Sequence, residues 1–357
     1  MSIAVRVAGA WRTVTSHYVR VAGTWRAAHQ VWTRVSGVWR RVVAPLIHTT
    51  PTALSVPREF LAATRVGNFA LFGGGSSDGL GRATVDAYNT ALTRTTPTAL
   101  SAARGHLAAT RVGNFAIFGG GAFSSAQVDA YNDTLTRSTP TALSAARALL
   151  AASSIGNFAI FGGGESSAVV DAYDLSLVRT IPTALASLRG SLAATSVGNF
   201  ALFGGGHFGG VPTAVVDAYN DTLTRSTPTA LSAARSRLAA ARVGDFALFG
   251  GGDFGGGSIS SVDAYDINLT RATPTVLSVG RFDFAATQIS GFAIFGGGVS
   301  ESTIVATVDS YNTALTRTNP PQLSVGRANL AATSVGEFAL FGGGQPPAIS
   351  AVVDAYT

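Results

Sequence analysis

The side chains that could do chemistry in this 357-residue chain are few. Cysteine is absent, which removes disulfides, thiolate metal sites and a cysteine nucleophile. The histidines, His17, His29, His48, His106 and His207, are scattered, and no two have the spacing of metal ligands. No Gly-x-Ser-x-Gly elbow occurs. The glycine runs follow apolar strand-like segments and lead into loops, so they are not phosphate cradles at helix starts. No metal and no cofactor is expected. What remains is a set of aromatic and polar residues in segments of unequal length: Phe123, His207, Phe208, Asp253 and Phe254, with Asp78, Arg82, Glu165 and Glu301 as polar partners. A ring beside a carboxylate or imidazole suits a sugar, whose apolar face covers the ring while its hydroxyls meet the polar group. Glycosidic cleavage would need two carboxylates across a cleft, and Asp253 with Glu301 is the pair these segments offer. Nothing else points to catalysis, so a non-enzymatic binding protein is expected.

The elements that must carry these residues are written in a repeat. Asn68-Phe69-Ala70-Leu71-Phe72-Gly73-Gly74-Gly75 recurs with its triple glycine at Gly119, Gly162, Gly204, Gly250, Gly296 and Gly342, spaced 46, 43, 42, 46, 46 and 46 residues apart. Seven units of this period indicate a solenoid or a propeller. Glycine at 42 of 357 residues and only 12% charged residues suit short strands and tight turns. Each unit reads as four strands, shown by Leu107–Val112, Phe115–Phe118, Val128–Tyr131 and Leu135–Thr139, with Pro140 ending the last. The triple glycine supplies a sharp bend where no side chain would fit. The turns after the first and third strands and the connection after the fourth barely vary. The segment after the triple glycine does vary, and in a propeller all seven copies fall on one face.

An arginine leads each unit: Arg58, Arg104, Arg147, Arg189, Arg235, Arg281 and Arg327. One active centre does not need seven copies, so these are expected to pair with backbone carbonyls or with the third-strand aspartates Asp86, Asp129, Asp171, Asp217, Asp263, Asp309 and Asp354. The alternative is a ring of positive charge that binds an anion near the central axis.

The chain ends decide closure. The last unit stops after its third strand, at Tyr356-Thr357, while Leu46-Ile47-His48-Thr49-Thr50-Pro51 aligns with the fourth-strand text Leu92-Thr93-Arg94-Thr95-Thr96-Pro97. Pairing the two closes a ring of seven blades and leaves no open terminal edge. The expected fold is all-β: residues 1–44 form a small hairpin meander and residues 45–357 a seven-bladed propeller.

Residues 1–44 repeat with a period of 14, as in Val5-Arg6-Val7-Ala8-Gly9-Ala10-Trp11-Arg12. Each unit predicts a hairpin turning at Gly9-Ala10, Gly23-Thr24 or Gly37-Val38. The four tryptophans, Trp11, Trp25, Trp32 and Trp39, all lie here and offer an attachment surface toward another protein or a second copy. Residues 1–50 hold seven arginines and no acid, whereas the remainder has 18 arginines against 19 acids. The net charge of +6 therefore belongs to the N-terminal segment and is no sign of a nucleic-acid partner. No charge-free apolar run of about 18 residues could span a membrane, and Arg6 and Arg12 interrupt what would be a signal-peptide core.

The repeat resembles the kelch unit: a hydrophobic strand closing on glycines, a strand carrying a tyrosine, then a fourth strand. It departs where kelch units usually carry a fourth-strand tryptophan, since Arg94, Arg137, Arg179, Arg225, Arg271 and Arg317 stand there. The N-terminal Val-x-Val-x-Gly-x-Trp-Arg units resemble hairpins of structural and tail-associated proteins of tailed bacteriophages and prophages. That resemblance implies a virion tail-fibre or appendage component, made in the host cytoplasm without a signal peptide. Residues 1–44 would hold other virion proteins or further copies of the chain, and the loop face would contact a host surface glycan or protein. A bacterial interaction scaffold of kelch-like type is the other reading.

Overall fold

The computed structural model describes the backbone of six N-terminal strands between residues 4 and 42, and residues 46–122, 125–289, 291–345 and 348–357. The chain divides into two compact units, Met1–Ile47 and His48–Thr357.

In the first unit, Ala4–Val7 pairs with Ala10–Thr13, Tyr18–Val21 with Thr24–Ala27, and Val31–Val35 with Val38–Val42. The registers join Val7 to Ala10, Val21 to Thr24 and Val35 to Val38, so Ala10, Thr24 and Val38 belong to strands and not to the expected turns. Gly9, Gly23 and Gly37 lie outside the described residues. Among the described residues the three hairpins are separate two-stranded ribbons, not one continuous meander.

The second unit is a seven-bladed β-propeller. Each blade is a four-stranded antiparallel sheet. Blade 2 shows the pattern: Ala108–Val112, Phe115–Gly119, Val128–Tyr131 and Arg137–Ser138 lie side by side in chain order. The expected fourth strand, Leu135–Thr139, is trimmed to two residues, because Leu135 takes φ 62 in the turn that precedes it. The first strands of neighbouring blades face one another around the axis. Blade 7 is completed by the N-terminal strand His48–Thr49, which pairs with Tyr356 and Ala355. The wheel is closed as the chain ends predict.

The triple glycine is a packing device between blades as well as a bend. A Cβ on Gly73 would lie 2.7 Å from the Phe118 ring of the next blade, and one on Gly119 would lie 2.9 Å from Phe161. The contact passes from blade to blade until a Cβ on Gly342 would meet Phe72 at 2.8 Å. Within each blade the same phenylalanine meets the third-strand tyrosine edge-on, as Phe72 does Tyr88 at 5.9 Å. The tyrosine hydroxyl donates to the connection entering its blade, for example Tyr88 to the Thr52 carbonyl at 2.8 Å.

The recurring arginines are internal struts. Arg58 and Asp86 are both fully buried and meet at 2.7 Å, and the Arg58 Nη2 also donates to the Phe72 carbonyl at 3.1 Å. All seven blades repeat the pair. The aspartate accepts further hydrogen bonds from the connecting segment, as Asp86 does from the Ser55 N–H at 3.0 Å. Such bonds offset part of the cost of burying the pair, while the Nε of all seven arginines is buried without a hydrogen-bond partner. The fourth-strand arginine grips the same carboxylate from outside, Arg94 at 3.0 Å, and in blade 7 His48 takes that place at 2.6 Å from Asp354. The alternative of a sevenfold anion-binding arginine ring is therefore overturned: each guanidinium is spent on its own blade.

Candidate functional site

Antiparallel pairing puts the turns after first and third strands at one end of the wheel. The segments after the triple glycine and the connections into the next blade stand at the other. Two kinds of variation meet at that second end.

The first was expected. Blades 1, 4, 5 and 6 raise short ribbons from the segment after the triple glycine: Ser76–Ser77 with Leu80–Gly81, His207–Phe208 with Val211–Pro212, Asp253–Phe254 with Gly257–Ser258, and Val299–Ser300 with Thr303–Ile304. Phe208 and Phe254 are exposed on them, at 49% and 59%. Asp78 and Glu301 sit at ribbon tips with φ 54 and 52. Arg82 is half-buried, and Glu165 lies beside His106 in a smaller recess. Phe123 lies outside the described residues, as do the side chains of Trp11, Trp25, Trp32 and Trp39.

The second was missed. Two residues after each recurring arginine, the chain places Phe60, His106, Leu149, Ser191, Arg237, Asp283 and Asn329. The connection after the fourth strand is thus not uniform; it holds a position where all seven residues differ, as they also do directly after the triple glycine, at Ser76, Ala122, Glu165, His207, Asp253, Val299 and Gln345. All seven have positive φ, between 52 and 57. Their backbones form a closed ring: the His106 N–H donates to the Phe60 carbonyl at 2.9 Å, Leu149 to His106, Ser191 to Leu149, Arg237 to Ser191, Asp283 to Arg237, Asn329 to Asp283, and Phe60 to Asn329. A left-handed backbone costs a non-glycine residue on the order of 1 kcal/mol, and no blade relieves it with glycine. A strained, unrepeated position on an otherwise copied scaffold marks a site where side chains matter.

The ring borders a cavity of about 630 Å³ at the mouth of the central channel, into which His207 and Asp253 also reach. Its two halves differ. On one side the Phe60 and His106 rings stack at 3.9 Å, with Leu149 next to them in the ring. Burial lowers the His106 pKa, so the imidazole serves there as a neutral plate. On the other side Arg237 bonds Asp253 at 2.5 Å and Asp283 at 3.5 Å, and lies 4.3 Å over the Phe282 ring. Asp253 is buried in this pairing and also accepts from the Gly256 N–H at 2.9 Å, so it is not the free solvent-facing carboxylate that the loop position suggests. Burial pushes the Asp283 carboxyl up to about 6; Arg237 opposes the shift and Asp253 adds to it. Glu59, raised by burial, accepts from the Asn329 amide at 3.2 Å. The His207 Nδ1 is buried without a protein partner. An aromatic plate and a polar wall thus border one opening.

The structure defines a seven-bladed β-propeller with an individual mouth at one end of its channel. Among solved structures it is similar to that titled "Structure of YjhT", with a TM-score of 0.59 and 12% identity over 85% of this chain and 95% of that one, a likeness of fold. The chain matches no protein-family model, and the search of curated proteins returned no relative.

Proposed function

We propose that the protein is a non-enzymatic binding component of a bacteriophage or prophage particle, a tail fibre or other appendage, whose propeller mouth takes a host surface glycan. One observation carries the binding half: the differences among seven near-identical blades gather around a single opening that pairs an aromatic plate with polar groups. The virion half rests on the resemblance of the N-terminal 14-residue hairpins to phage tail-associated units. The hairpin unit attaches the chain to the particle or to further copies, and the propeller presents the mouth. Asp253 is held by Arg237 at 2.5 Å and by the Gly256 N–H at 2.9 Å, which supports its reading as a fixed part of a binding wall.

Particles purified from an induced host culture test the assignment. Mass spectrometry is expected to find the chain in the particle fraction at structural stoichiometry. Its confinement to the cell lysate would rule out the virion role. Bound polysaccharide is expected to keep its length; shortening that stops in the Asp283→Asn variant would contradict the non-enzymatic reading.

A further inference from the structure

The other end of the channel has a chemistry of its own. Of the 18 arginines between residues 46 and 357, 14 are ion-paired with a carboxylate. The four that are not are Arg65, Arg82, Arg111 and Arg242. Three of these four share one position, the fourth residue of the first strand, in blades 1, 2 and 5. The other blades put serine or glutamine there, Gln288 in blade 6 and Ser334 in blade 7 among them.

That position is one residue from the end of the first strand, and the first strands line the axis. Arg65 and Arg242 border one recess of about 270 Å³, together with Gln288 and Ser334. Arg111 is close enough that the charge of Arg65, after desolvation, lowers its pKa. Arg242 is oriented by its own Nε, which donates to the Gly244 carbonyl at 2.9 Å and leaves the two terminal nitrogens available. Asp245 stands on the turn that follows Arg242, and among the described residues no ion pair joins any of the three arginines to a carboxylate. Guanidiniums gathered without a counter-charge repel one another, and a shared oxyanion removes that cost.

We propose that this end of the channel is a binding site for a phosphate group, free or carried on a small molecule. The guanidiniums of Arg65, Arg111 and Arg242 supply forked donors that match a tetrahedral oxyanion. Gln288 and Ser334 complete the rim with neutral donors. The site is independent of the mouth at the opposite end, so each can fail without the other.

Thermal unfolding of the full chain, at ionic strength matched with chloride, tests it. A ligand that binds only the folded state raises Tm in proportion to its occupancy. Inorganic phosphate and glycerol phosphate at 10 mM, a concentration on the order of ten times the Kd expected for such a site, should each raise Tm above the chloride control. A larger rise with glycerol phosphate identifies a carried group, and a larger rise with inorganic phosphate a free ion. The R65S/R111S/R242S variant borrows the residue of blades 3, 4 and 7, so the wheel tolerates it; its phosphate affinity should fall at least tenfold. The R82S variant removes the remaining unpaired arginine at the opposite end and should keep the response. Equal responses from the triple variant and the wild type, or none beyond chloride, would overturn the site.

Discussion

Residues of one type do opposite things in this molecule according to what surrounds them. Arg58 and its six counterparts are sealed between strands, each against its own aspartate. Arg237 stands at the channel mouth between two carboxylates, and Arg65, Arg111 and Arg242 face none. Asp283 is the residue whose state should be easiest to follow. Its carboxyl titrates near 6, above its ordinary value of 3.8, so the folded chain holds this proton more tightly than the unfolded chain does. The stabilisation is complete below the unfolded pKa and fades as pH rises through the folded one, between about 4 and 6, by up to about 3 kcal/mol. Chemical denaturation across that range should show stability from this source falling with rising pH, and Asp283→Asn should flatten the slope. A wild-type slope unchanged by the substitution would show that Asp283 is not the group.

At the scale of elements, the glycine-phenylalanine contact joins one blade to the next. Gly119→Ala would set a methyl 2.9 Å from the Phe161 ring, inside a contact that both blades need. Overpacking of this kind costs about 1–3 kcal/mol, and a lower denaturation midpoint should register it. An unshifted midpoint would mean that the blades slide apart without penalty. Much of this was legible in the sequence, because strand edges, turns and closure are local signals copied seven times. The triple glycine read as a bend; its second task needs the neighbouring blade and has no signature along one chain. The short fourth strand escaped because Leu135 has no turn-forming composition. The mouth ring escaped for a plainer reason. Its residues are single substitutions inside a repeated connection, without the change of length that marks the segments after the triple glycine. Aligned column by column, the seven units repeat no residue directly after the triple glycine, nor in the column Phe60, His106, Leu149, Ser191, Arg237, Asp283 and Asn329. That column bends round into one ring only because the wheel closes.

Across the whole molecule, closure turns a one-dimensional repeat into two chemically distinct ends. Seven copied frames supply rigidity, and the differences among them are brought together at the mouth. A glycan microarray of bacterial surface saccharides, probed with the intact chain and with an F60S/H106S/R237S/D283S variant, measures this directly. Serine already occupies the ring in blade 4, so the backbone circle should persist. The account predicts a restricted set of bound saccharides, with the variant weakened at least tenfold on every one. Undiminished binding by the variant, or a chain that binds no saccharide at all, would contradict it.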